Sequence, residues 1–392
     1  MTDYDLIVVG GGPAGTAAGL EAASEGLSVA IVDKERFPRE KCCGDGLTTS
    51  ALNHLHALGL DLGSLPSFRP TTDIELRSPR GTQHRYQLSP PGHAAVVRRF
   101  ELDSALVDLA RAGGVTILEE HPIEAVEAGP LDVVVRAGGV SMSTSFLIAA
   151  DGMWSPTRRL VEGAPSERYL GEWHAFRQYF TGAPSNSLDR MVVWFERDLL
   201  PGYAWAFPLA DGAINVGFGI RRGGELSTQD MKQLWPELLQ RQHVVDILGP
   251  QPVPEAPHRA WPIPARLGRR SLTRGRVFFA GDAAAATDPM TGEGIGQAIE
   301  TGRLAAHAIT TSRSANEAAV GYRRSVTKGM VRDHRLAGGL SRMLSNQAIT
   351  ETALALTAST SWTSRHFALW LFEAYPRATA FNPYRWRDKV RL

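Results

Sequence analysis

The chain has 392 residues, 43% of them hydrophobic and 21% charged, the balance of a globular protein with length for two or three domains. Thirty-nine glycines and 24 prolines are scattered along it, which excludes collagen-like and low-complexity organisation. Forty-two basic residues against 41 acidic ones leave a formal charge of +1. There is no positive excess to neutralise a phosphate backbone, so no nucleic-acid partner is expected.

The chain begins with polar and acidic residues and enters Leu6-Ile7-Val8-Val9 at once, unlike a secretory signal with its basic start and cleavage site. No apolar run approaches the ~18 residues of a spanning helix. The cysteines, Cys42 and Cys43, are neighbours, which disagrees with ordinary disulfide geometry. Reduced thiols in a cytoplasmic protein are therefore expected.

In chain order, Asp5 to Val9 reads as a short strand covered on both faces, as in a parallel sheet. Gly10 to Gly15 form a turn, Ala14 to Ala23 a helix, and Ser28 to Val32 a second strand ending at Asp33. A helix follows from Glu101 to Ala112, with Leu102, Ala105, Leu106 and Leu109 at helical spacing. Leu131 to Arg136 and Val140 to Ser145 flank Ala137-Gly138-Gly139 as a hairpin, and Phe146 to Ala150 reads as a separate buried strand. Residues 173–220 alternate and are rich in aromatics, as in antiparallel strands. Val277 to Ala280 forms another buried strand, and from about residue 295 the chain is mostly helical.

Gly10-Gly11-Gly12-Pro13-Ala14-Gly15 fits G-x-G-x-x-G between strand and helix. Gly10 permits the tight turn, Gly12 lets a pyrophosphate approach the backbone, and Gly15 lets helix and strand pack closely. The phosphates then sit on free N–H groups at the helix start, over Pro13 and Ala14. Asp33, 18 residues past Gly15 and followed by Lys34, suits the ribose hydroxyls. Two further strand ends carry Asp151-Gly152 and Gly281-Asp282, the latter leading through Asp288-Pro289 to Gly292-Glu293-Gly294-Ile295-Gly296.

This trio resembles the FAD-dependent superfamily typified by p-hydroxybenzoate hydroxylase. The resemblance implies a Rossmann-like FAD-binding domain of mixed α/β and α+β character, with an inserted antiparallel substrate domain and a helical C-terminal region. The expected boundaries are 1–68, 95–165 and 270–312 for FAD, 69–94 and 166–269 for substrate, and 313–392 for the helices. Asp282 would hold the ribityl chain, Gly292, Gly294 and Ile295 would face the flavin, and Arg99 would open a helix near the FAD phosphates. Asp151, Gly281 and Pro289 complete the expected cofactor contacts.

Two motifs narrow the resemblance to geranylgeranyl reductases. Lys41-Cys42-Cys43-Gly44-Asp45-Gly46-Leu47 is similar to that family's K-x-C-G-x-G loop, with Asp45 where many members have glycine. Tyr203-Ala204-Trp205-Ala206-Phe207-Pro208 followed by Gly217-Phe218-Gly219 matches its Y-x-W-x-F-P…G-x-G element. Strand periodicity puts Tyr203, Trp205 and Phe207 on one face, and Asn215, Gly217 and Gly219 on one face of the next strand. Together they suit a slot for a long apolar ligand, whereas periodicity alone favours sheet-core packing.

The resemblance implies an FAD-dependent oxidoreductase that reduces isoprenoid carbon–carbon double bonds. It places Cys43 and Gly44 at the flavin, a substrate slot at Tyr203, Trp205, Phe207, Gly217 and Gly219, and catalytic roles on Cys43, Tyr203 and Trp205. The electron donor is NADPH, NADH or a ferredoxin, and the absence of a second dinucleotide fingerprint implies that a nicotinamide donor binds transiently. The alternative on the same fold is a flavin monooxygenase, an epoxidase or hydroxylase of a prenylated or other hydrophobic compound. A halogenase fits poorly, since residues 42–231 contain no lysine, and a carrier with a degenerate FAD fold fits poorly because all three FAD segments are intact. No metal is expected: His54 and His56 are not spaced for helical chelation.

Two readings apply to the C-terminus. Phe367, Leu369, Trp370, Leu371, Phe372 and Tyr375 precede Arg385, Trp386, Arg387, Lys389 and Arg391, a pattern suited to peripheral contact with anionic lipid. The same apolar segment also suits a terminal helix packed on the core, trailing a solvated basic tail.

Overall fold

Leu6 to Val9 are fully or almost fully buried because strands flank them on both sides. The computed structural model describes residues 2–90, 92–163, 169–184, 188–224 and 226–378. The core of its first sheet runs in the order Thr116–Leu118, Val29–Val32, Tyr4–Val9, Val140–Ala149, Val277–Phe279, with these neighbours parallel, and Thr273–Arg274 adds an antiparallel edge next to Val277–Phe279. The helices Pro13–Ser24 and Ile295–Thr311 pack against each other beside it, and Gly302 permits the contact, since a Cβ there would lie 2.1 Å from the Ala14 carbonyl oxygen.

The expected hairpin strand and the expected buried strand after it are one ten-residue strand, Val140–Ala149. Its first half pairs antiparallel with Val133–Ala137, while its second half enters the parallel core. The polar Ser143 and Ser145 conceal that continuity in the sequence.

The second sheet is antiparallel except for one pair. Its order is Val253–Pro254, Trp173–Thr181, Ile214–Arg221, Tyr203–Pro208, Met191–Trp194, Asp73–Arg77, Gln83–Gln87. One face, with Ala204, Ala206, Ile214, Val216, Phe218 and Ile220, is buried beneath the helices Asp230–Leu239 and Gln242–Leu248. Trp205 opposes Gly217 and Tyr203 opposes Gly219, so the aromatic stripe and the small residues share the other face. A small third sheet joins Gly46–Leu47, Ala94–Val96 and Arg69–Thr71, drawing together the two positions at which the sequence reading divides the chain.

Past residue 314 the chain is helical to Leu371. The helix Ser361–Leu371 begins with a capping box between Thr360 and Thr363. Leu369 and Phe372 are buried, and Phe367, Trp370, Leu371 and Tyr375 line an interior cavity. The apolar side of the segment is turned inward, as the packed-helix reading expects. The basic tail from Arg385 to Arg391 lies outside the described residues. No described helix is long and apolar enough to cross a membrane.

Candidate active site

The glycine turn is built by close approach. A Cβ on Gly15 would fall 1.8 Å from the Gly10 carbonyl oxygen, so only glycine lets the helix Pro13–Ser24 seat against its strand. Gly10 has φ +104°, and Gly12, at the helix N-cap, has no side chain to occupy the free N–H groups. Asp33 is buried; one carboxylate oxygen accepts from the Gly11 N–H at 2.6 Å and the other from the Glu35 N–H at 2.9 Å. Arg99 holds Asp103 through two hydrogen bonds of 2.9 Å, and Arg39 joins the same carboxylate at 3.0 Å. Arg39 is a second cation on this groove that the motifs did not reveal.

A single cavity of about 1270 Å³ continues from this groove past Asp151, Gly281 and Asp282 to the turn Thr291-Gly292-Glu293-Gly294. The Asp282 carboxylate accepts from the Thr287 hydroxyl at 3.2 Å. Glu293 turns back onto the helix Ile295–Thr311, accepting from the Ile295 and Gly296 N–H groups at 3.0 Å each. Burial, with Glu373 nearby, pushes its carboxyl up to about 8. Bare backbone at Gly10, Gly12, Gly292 and Gly294, an acidic residue at the second strand end, and cations beside the helix start together fit FAD.

The cysteine loop forms the floor of the cavity. Cys43 Sγ accepts from the Asp45 N–H at 3.3 Å, and burial raises its thiol, keeping it protonated at neutral pH. Lys41 lies over the Trp261 ring at 3.7 Å, and burial lowers its ammonium to about 8. Asp45, at φ +65°, has no exposed surface. Its Oδ2 accepts from the Tyr179 hydroxyl at 2.5 Å and the Asn215 amide at 2.8 Å, whereas Oδ1 is buried with no partner among the described residues. Burial outweighs these donors and the nearby Arg177 and Arg99, leaving the carboxyl at about 6. In the sequence Asp45 stands out only as an acid in place of a glycine, because its partners come from strands more than a hundred residues away.

Asn215 ties this floor to the aromatic stripe. Its Oδ1 accepts from Trp205 Nε1 at 3.1 Å while its amide also donates to the Cys43 carbonyl at 3.0 Å. Tyr203 donates to the Thr291 carbonyl in the glycine turn. The rest of the chamber is apolar. Ile74, Leu76, Met191, Val193 and Phe207 face Leu340, Leu354, Phe367, Trp370 and Leu371 of the C-terminal helices. These helices carry no motif, and their share in the chamber was not legible in the sequence. The cover is fastened to the glycine turn by Arg377, whose Nη1 meets Asp288 Oδ2 at 2.5 Å with both side chains buried.

Of the residues singled out in the sequence, the cavity brings together Gly10, Gly12, Pro13, Ala14, Asp33, Lys34, Cys43, Gly44, Arg99, Asp151, Gly281, Asp282, Gly292, Gly294, Ile295, Tyr203, Trp205, Phe207 and Gly219. Three lie off its wall. Gly15 is covered by the Gly10 carbonyl, and Gly217 by the Trp205 indole, whose Cζ2 would stand 2.3 Å from a Cβ there. Pro289 faces a separate cleft on the other side of the turn. Gly217 therefore makes room for Trp205 instead of touching a ligand.

A family model described as FAD binding domain matches residues 3–314. The chain belongs to that family. It is an FAD-dependent oxidoreductase of the geranylgeranyl reductase and menaquinone reductase type. It is 32% identical over 326 residues to a menaquinone reductase of Mycobacterium tuberculosis, covering 78% of this chain and 76% of that protein. It is 27% identical over 325 residues to digeranylgeranylglycerophospholipid reductase 2 of Methanopyrus kandleri, covering 77% and 76%. Among solved structures, a geranylgeranyl bacteriochlorophyll reductase-like protein of Thermoplasma acidophilum shares the fold, with TM-score 0.78, 21% identity and coverage of 96% and 98%.

Proposed function

We propose that this flavoprotein saturates carbon–carbon double bonds of an isoprenoid chain. The observation that carries the reading is the continuity of the dinucleotide groove with an apolar, aromatic chamber closed by the C-terminal helices. Bound and reduced, FAD supplies the hydride that such a reaction requires. An isolated alkene has no carbonyl to polarise, so the protein contributes by holding the chain against the cofactor and excluding water. Tyr203, Trp205 and Phe207 form one wall of that slot, and Leu354, Phe367 and Trp370 form its cover.

The second carbon needs a proton, and Asp45 is the group we assign to hold it. Tyr179 and Asn215 both donate to Oδ2, so the proton of the neutral acid sits on Oδ1, the oxygen with no partner among the described residues. On transfer that O–H bond breaks and, because Oδ1 itself has no exposed surface, the proton reaches the second carbon through a relay open to the chamber that gives up one proton as it takes up another, and the carboxylate left behind keeps both donors. Cys43 also lines the cavity, where burial raises its thiol and keeps it protonated. The reading is tested by mixing the chemically reduced enzyme with polyprenyl compounds under argon. Recovery of the oxidised flavin spectrum supports it, and a flavin that stays reduced until air is admitted contradicts it.

A further inference from the structure

A second cavity, of about 730 Å³, lies outside the wall of the aromatic chamber. The helix Arg332–Met343 separates the two, with Leu340 and Met343 on the chamber and Arg335 and Arg342 on the cleft, and Trp173 borders both. The cleft is lined by six arginines, Arg221, Arg222, Arg266, Arg269, Arg335 and Arg342, together with His334, against one acid, Glu172.

That acid is already engaged. Glu172 pairs with Arg266 and accepts from the Ala265 N–H at 2.7 Å and from the Tyr169 hydroxyl. Among the described residues, the other five guanidinium groups have neither a carboxylate nor a hydrogen-bond partner, in a chain whose formal charge is only +1. Gathering like charges in a concavity raises the energy of each, and a bound anion relieves it. Guanidinium forks match phosphate oxygens in pairs. The concave shape suits a small phosphorylated molecule better than a broad acidic protein face.

We propose that this cleft binds the phosphate groups of a phosphorylated ligand of the enzyme. Two sources carry that chemistry: a reduced nicotinamide dinucleotide acting as electron donor, and the diphosphate head of a prenyl substrate. The inference rests on the arginines and the cleft, and it does not depend on alkene reduction being the reaction.

The test is calorimetric titration of the flavin-loaded, full-length protein with inorganic pyrophosphate at low salt. Binding is expected, and Arg335→Ala with Arg342→Ala should weaken it by about tenfold per arginine. Both side chains are exposed, so the fold should survive; should it not, Arg269→Gln, also exposed, gives the same readout. Displacement of pyrophosphate by NADPH assigns the cleft to the donor, and displacement by geranylgeranyl diphosphate assigns it to the substrate head. The proposal is overturned by absent binding, by binding that the arginine variants leave unchanged, or by pyrophosphate that neither molecule displaces.

Discussion

The Tyr179 hydroxyl donates to the Asp45 carboxylate at 2.5 Å inside the protein, across 134 residues of chain. That contact joins the cysteine loop to the substrate sheet and makes Asp45 the natural focus of pH dependence. Its carboxyl stands at about 6, above the ordinary value of 3.8, with burial as the largest cause. The neutral, proton-bearing form is therefore the majority below about pH 6 and is lost as pH rises.

Turnover at the reductive step is expected to fall above about pH 6, tending towards tenfold per pH unit. Asp45→Asn should be slow at every pH and show no such limb, while keeping its flavin. The same group sets a stability trend. The folded protein binds a proton that the unfolded chain releases between the two pKa values, so Asp45 makes stability fall as pH rises from about 4 to about 6. Urea unfolding should accordingly show the Asn variant gaining relative to the parent over that window. Parallel pH profiles for the two proteins would remove Asp45 from the assignment.

Trp205→Ala removes a wall of the slot and the hydrogen bond that orients Asn215. Turnover is expected to fall by roughly 10- to 100-fold through misplacement of the chain. Flavin content should change little, because Trp205 meets the cofactor groove at the cysteine loop, beside Gly44 and through Asn215 to Cys43, and not at the glycine turn or Asp282. Equal loss of flavin and turnover would reclassify the stripe as structural core.

Asp282→Ala should weaken flavin retention by about tenfold or more while leaving the fold intact, since a charged acceptor in the cofactor groove is lost. The flavin-to-protein ratio after gel filtration reads this directly. An unchanged ratio would withdraw Asp282 from the cofactor site.

Arg377→Met leaves Asp288 ionised, buried and without its cation. The expected cost is about 3–5 kcal/mol, measured by denaturant unfolding, with the C-terminal helices becoming accessible to protease. A variant as stable as the parent would mean that the cover is held by its apolar packing alone.

The parts legible in the sequence are those with local signatures. The glycine turn announces itself because Gly15 and Gly10 must nearly touch, and the aromatic stripe because strand periodicity places Tyr203, Trp205 and Phe207 together. Asp45 was opaque for the opposite reason: its environment is made by Tyr179 and Asn215, which the sheet brings to it from far along the chain. The cover was opaque too. The spacing of Phe367, Trp370 and Leu371 gives an apolar helix side, and such a side reads alike whether it meets lipid, core or cavity. Arg39 was missed because its partner Asp103 lies on another element.

In the function we propose, the chamber presents an isoprenoid alkene to the reduced cofactor. Its most direct test is anaerobic incubation of the reduced enzyme with polyprenyl compounds, followed by mass measurement of the product. A gain of two hydrogens for each double bond consumed, with no oxygen requirement, is expected. A product that forms only in air and is heavier by one oxygen atom would contradict the reductase reading and make the enzyme a monooxygenase.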